Sequence, residues 1–253
     1  MQPIPVPKVL ANAARVLASN ALIALFIAMI AGGIGFLFTD WVSTLIVGTA
    51  DQPRHGLRGQ SLLVASTLCQ SLLLCVWAGT VGAWAVPAQI YLWVQEEKKQ
   101  HATLAGAINF GLNRWSRVAL PHFLAYTTVA LGNIVIVPGI IFGLMFAYVD
   151  GIATLDPQEK NVLSRSSRLT STRRRSIFMI FLTAALGWWL WFQLGLVFLM
   201  STMQPWQKFA VGTVDHMVII FVELCMVQLY LDMFRKPAVP TAPSSSEIRA
   251  TAT

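Results

Sequence analysis

Charge is what this chain has least of. Asp, Glu, Lys and Arg together make up 11% of its 253 residues, against 56% hydrophobic residues. A soluble domain of this size has too little charge there to cover its surface, so composition alone excludes an ordinary water-soluble fold. Acid is scarcer than base, with eleven Asp and Glu against eighteen Lys and Arg. Cysteine is nearly missing: Cys69, Cys75 and Cys225 all lie in apolar runs, and the first two point about 120° apart on one helix. That excludes a disulfide framework and a paired-cysteine metal motif. No HExxH, paired-aspartate, Gly-x-Ser-x-Gly or glycine-rich phosphate loop occurs. The sequence therefore predicts a protein that is not an enzyme and that has neither metal nor cofactor.

What is there is a ladder of apolar runs, and it predicts an all-α, polytopic transmembrane helix bundle. A hydrocarbon core of about 30 Å needs about 20 helical residues, and Asn20 to Phe38 supplies the first span. The preceding residues carry Lys8 and Arg15 but no compact apolar core with a small-residue cleavage site, so this run is expected to stay as a helix. Ser61 to Val94 is longer than one crossing, and its Pro87 end is expected to bend or project past the headgroups. Val118 to Val149 reads as two helices meeting near Asn133 to Gly139, with Pro138-Gly139 at or near the turn. Each arm is then short, which implies a thinned bilayer, re-entrant arms or a fourth helix running on toward Asp156. Ser176 to Met203 and Phe209 to Phe234 bring the count to about six spans.

The basic residues orient this ladder. Lys8, Arg15, Lys98, Lys99, Arg114, Arg117, Lys160, Arg165, Arg168, Arg173, Arg174, Arg175, Arg235, Lys236 and Arg249 fall in alternate gaps, leaving Arg54, Arg58 and Lys208 for the other face. The positive-inside rule then puts both termini in the cytoplasm. The basic residues adjoin apolar runs, so membrane phosphates and not nucleic acid are their expected counter-charge. Residues 1–236 form the integral-membrane domain. The remaining 237–253 are rich in Pro, Ser and Thr and are expected to be a disordered cytoplasmic tail.

Two cytoplasmic stretches share a plan of short polar helix, basic knuckle and span. Leu104, Ile108, Gly111 and Trp115 fall on one helical face and Asn109, Asn113 and Arg117 on another, which predicts an interfacial helix along the headgroups. The second stretch opens with Asp156-Pro157-Gln158-Glu159, a cap, a first-turn proline and a capping-box acid. An offset of 59 residues superposes Leu104 on Leu163, Phe110 on Leu169 and Arg114 on Arg173, as an ancestral duplication would.

Residues 137–141 read VPGII, and residues 163–170 read LSRSSRLT before a basic knuckle and Ile177-Phe178. This arrangement, spanning roughly Thr103 to Met200, resembles a family of bacterial multi-pass proteins related to the membrane domain fused to some glycerophosphoryl diester phosphodiesterases. The hairpin arms here are shorter than that family's usual ones. The resemblance implies an integral module of the bacterial inner membrane linked to lipids or a partner protein. The phosphodiesterase domain does not occur in this sequence, so its activity is not implied.

Three sets of residues stand out. Arg165, Arg168, Arg173, Arg174 and Arg175 are candidates for binding anionic lipid headgroups, at about 1 kcal/mol each near a charged leaflet, or they only set topology. Trp188, Trp189 and Trp191 lie too deep for an interfacial belt, and either line a cavity for an apolar chain or pack in the core. A second stripe, Trp77, Trp84 and Tyr91, could face lipid, a neighbouring helix or another subunit. Ionisable residues inside spans mark function by default. Here they are His122 and, along the last span, Asp215, His216, Glu223 and Asp232. Glu223 and His216 lie about 20° apart around the helix axis, where both can meet Gln70, Asn133 or Gln193. The leading expectation is a non-catalytic membrane module that recruits a protein partner, forms a homo-oligomer or organises anionic lipids. The alternative is a transporter or lipid-handling carrier with a hydrophobic cavity, which gains if the tryptophan run and Glu223 face one space.

Overall fold

The computed structural model describes residues 4–47, 72–73, 75–132, 137–199 and 204–234, and the regular structure among them is helical throughout. Three helical stretches among the described residues, Ala21–Val42, Val137–Leu155 and Pro205–Asp232, are long and apolar enough to cross a membrane. The protein is thus an all-α membrane protein. Residues 48–71, with Arg54, Arg58, Cys69 and Gln70, lie outside the described residues, as do Asn133 and the tail from Arg235 onward.

The chain opens with α1 (Val6–Ser19), which starts after the extended Pro5 and buries Val9, Ala13 and Val16 at helical spacing. Helix α2 (Ala21–Ala28) runs through a π-helical turn, Met29–Ile34, into α3 (Gly35–Val47). A second π-helical turn, Ala78–Gly82, leads into α4 (Ala83–Glu97). Wide turns leave carbonyls without their usual partner, and in each one a tryptophan from elsewhere in the bundle answers. The Trp77 indole donates to the Ala31 carbonyl at 2.8 Å, and the Trp115 indole to the Thr80 carbonyl at 2.6 Å. Pro87, which has no N–H to give its helix, follows the second wide turn and is absorbed within α4. Helix α4 ends on Lys99 at φ 54°, where Gln100 N–H reaches the Gln95 carbonyl and Lys99 N–H the Glu96 carbonyl.

Helix α5 (Leu104–Gly132) is continuous over 29 residues. The expected interfacial helix is therefore not a separate element. Part of this segment packs on α4, with Gly111 against Trp84 and Tyr91 against Phe110 at 5.4 Å, while Leu104 and Trp115 stay exposed. Helix α6 (Val137–Phe146) folds back on α5, and Gly132 sits so close to Gly139 that a Cβ would lie 2.8 Å from its backbone nitrogen. The two arms are thus separate packed helices, and Pro138 occupies the first turn of the second. That second arm runs on through α7 (Val149–Leu155), making the 19-residue apolar stretch that ends at Leu155.

The helix expected to open at Asp156-Pro157 does not. Helix α8 (Val162–Thr170) starts after Asn161, because Asp156 and Glu159 have turned to Arg165. Helix α9 (Arg174–Leu199) follows, then α10 (Pro205–Asp232), whose start is fixed by Pro205 and by the Gln207 side chain accepting from Gln204 N–H at 2.7 Å. Helix α10 is the central post. Its Gly212 meets Gly32 backbone to backbone, a contact only glycine permits, and Ala24 and Ala28 of the same small-residue ladder are fully buried. Leu22, Leu45, Leu120, Leu131 and Val137 point outward, as lipid-facing side chains do.

Candidate functional site

Two ion pairs bracket the length of α10. Lys208 binds Asp40 at 2.8 Å near one end, and Asp232 binds Arg173 at 3.1 Å at the other. Twenty-four residues separate Lys208 from Asp232, about 36 Å of helix. Between them the helices enclose a cavity of about 450 Å³.

Three carboxyl groups, two imidazoles and one amide reach this cavity. Asp215, His216 and Glu223 come from α10, His122 from α5, Asp150 from α7 and Gln89 from α4. His122 Nδ1 lies 2.8 and 3.0 Å from the two Asp150 oxygens, so it donates a forked bond and keeps Nε2 for another partner. The His122 ring stacks on Tyr126 at 6.1 Å. Asp150 of α7 and Glu223 of α10 face the same space. On the facing side Gln89 Nε2 stands 2.9 Å from His216 Nε2. Gln89 is 1% exposed, and its Oε1 has no partner among the described residues.

The backbone explains why the space exists. Ala31 and Gly32 of one π-helical turn and Ala78 and Gly82 of the other all line it, beside Gly212 and Gly143. Small residues and widened turns hold the walls apart where bulky side chains would fill them. The remaining lining is largely aromatic, with Phe36, Trp77, Tyr126, Phe146 and Phe181.

The structure thus brings together His122, His216 and Glu223, each singled out in the sequence, and adds Asp150 and Gln89. Asp150 falls one residue past an apolar run and reads as its polar end. Gln89 is an amide within the apolar part of its helix, and neither periodicity nor a motif marks it. Gln70 and Asn133, expected as seam partners, lie outside the described residues, and so do the side chains of Gln193, Trp188 and Trp191. Trp189 is 51% exposed and does not line the cavity.

The arginines divide. Arg165 is held by Asp156 at 2.5 Å and Glu159 at 2.8 Å, and Arg173 by Asp232. Glu159 also accepts from Asn161 N–H at 3.0 Å, and this bond together with Arg165 holds its carboxyl below the usual range. Arg168, Arg174 and Arg175 remain exposed. The Trp77, Trp84 and Tyr91 stripe faces neighbouring helices, the Trp84 indole reaching the Ile108 carbonyl at 3.4 Å. Cys75 and Cys225 are buried free thiols. Among the described residues no three His, Cys, Asp or Glu side chains are grouped as metal ligands. Comparison with family models, with curated proteins and with solved structures gives no match.

Proposed function

We propose that this protein is a carrier, a bundle of about six spans whose mid-membrane cavity takes up a small molecule and exchanges protons with it. The observation that carries the reading is the bonded His122–Asp150 pair, which lines one cavity with Glu223, His216 and Asp215. Ionisable groups at membrane depth are costly, and a bundle held together only by packing has no use for five of them around one cavity. The cavity is of the size that holds a small organic molecule. The reading is non-catalytic, with both termini in the cytoplasm of a bacterial inner membrane, and it is compatible with the phosphodiesterase-related membrane-domain resemblance.

A membrane-organising module is the second reading. Exposed Arg168, Arg174 and Arg175 favour it, since they form a cluster available to anionic headgroups. The two are separated by Ala147→Cys, a substitution on the cavity wall, made in a chain whose three native cysteines are replaced by alanine. In proteoliposomes of a carrier, the thiol at position 147 reacts with a membrane-impermeant reagent from at least one face. A thiol there that is closed to both faces at every pH from 5 to 8 sinks the carrier and leaves the module.

A further inference from the structure

We propose that the cavity selects an organic cation with an apolar body and takes it in exchange for a proton held among the carboxyl groups that line it; this rests on the carrier reading above. Among the described residues no Lys or Arg lines the space, whereas Asp150, Asp215 and Glu223 all do. An anion entering there would meet three carboxyl groups and no Lys or Arg at a depth where water cannot screen it. A cation meets the reverse.

The balance of charge gives the exchange. Carboxyl groups that share one space at membrane depth repel each other when charged, so a cation entering among Asp150, Asp215 and Glu223 displaces a proton from the cluster. One cation in and one proton out leaves the charge of the cavity unchanged. No covalent bond forms. His122, already bonded to Asp150, can take the departing proton on Nε2 and pass it on. The other titratable groups facing the cluster are His216 on α10 and Tyr126 on α5.

The walls choose the class of cation. Trp77, Tyr126, Phe146 and Phe181 present aromatic rings to the same space, and aromatic faces attract ammonium and other diffuse cations. A bare metal ion needs a closed set of ligands, which the described residues do not group. The buried Gln89 Oε1, without a partner among the described residues, offers one further acceptor to an N–H of the ligand. The cation can be a free amine or the ammonium of an aminolipid, which present the same group.

The test uses the full chain in lipid nanodiscs and tetraphenylphosphonium as probe, with tetraphenylborate as its counterpart of the same shape and opposite charge. Binding is the difference between loaded and empty discs. Saturable phosphonium binding is expected, at least tenfold tighter at pH 8 than at pH 5, with about one proton released per cation in weakly buffered solution. Glu223→Gln should weaken it at least tenfold, while tetraphenylborate binds no better than to empty discs. If Glu223→Gln does not yield a monodisperse protein, the pH dependence and proton release of the unaltered chain decide. Phosphonium displaced by phosphatidylethanolamine in otherwise phosphatidylglycerol discs assigns the cation to a lipid headgroup; no displacement assigns it to a free amine. Absent phosphonium binding, pH-independent binding, or preference for the borate overturns the proposal. If the thiol of Ala147→Cys still reacts, those results leave the carrier standing without this substrate; if it is closed, both fall.

Discussion

Lys99 is the one non-glycine residue with a left-handed backbone among the described residues, and it holds that conformation to close α4. A side chain there costs about 1–2 kcal/mol, offset in part by its smaller loss of freedom on folding. Lys99→Gly should therefore raise the thermal midpoint in detergent by a few degrees; an unchanged or lower midpoint would mean the turn is held by something other than its backbone. Glu159 makes a pH prediction. Its carboxyl is held below the ordinary value of 4.5 by Asn161 N–H and Arg165, so its contribution is complete above that value. The contribution fades as pH falls through the lower, folded-state value. Glu159→Gln should thus be less stable than the unaltered chain at pH 7, and the gap between the two melting curves should close in acid below pH 4. A gap that stays constant would show that the charge is not what binds Arg165.

At the scale of elements, the apolar runs are legible because hydrophobic length is written directly in composition. Asn20 to Phe38 is recovered, shifted by one residue at its start, as Ala21–Val42, and α6 begins at Val137, inside the Asn133 to Gly139 stretch. Other features need partners distant in sequence. Asp156 and Glu159 carry a capping signature, but Arg165 is within reach and a charged donor outcompetes a backbone N–H. Likewise Glu223 is conspicuous alone, while Asp150 becomes a site residue only when α7 packs beside α10. The π-helical turns leave no sequence signal, since the indoles that satisfy them come from other parts of the chain. The crossing of α10 on the first membrane helix gives a sharp test. A Cβ on Gly212 would lie 2.6 Å from the Gly32 carbonyl oxygen and 2.7 Å from Phe36 Cβ. Backbone cannot yield as a side chain can, so Gly212→Ala should cost about 1–3 kcal/mol and lower the melting midpoint by several degrees. Melting as the unaltered chain does would remove that contact as the fixed point of the bundle.

The whole molecule is polarised along α10. The Arg165 clasp and the Arg173–Asp232 pair lie toward one end, and Lys208–Asp40 at the other. If the first end is cytoplasmic, single cysteines at Lys98 and Arg168 should react with an impermeant reagent from the cytoplasmic side and one at Trp206 from the opposite side. Labelling of residues 98 and 168 from different faces would break the arrangement of spans. The cavity sits part-way between these ends, with Glu223 nine residues from Asp232 and His216 eight from Lys208.

A π-helical turn is an α-helix with one residue more than it needs, since its hydrogen bonds close over five residues instead of four. Met29–Ile34 and Ala78–Gly82 therefore each carry a surplus residue that the rest of the bundle does not require for its register. Deleting one residue from either turn restores an ordinary helix and leaves the flanking segments pointing as before, at the loss of one indole bond and part of the cavity wall. Such a deletion inside an apolar helix, ordinarily ruinous, should here keep the fold while closing the interior space, a result a melting curve read beside cavity labelling checks. Those two positions separate the residues that keep the bundle standing from the residues that keep it hollow.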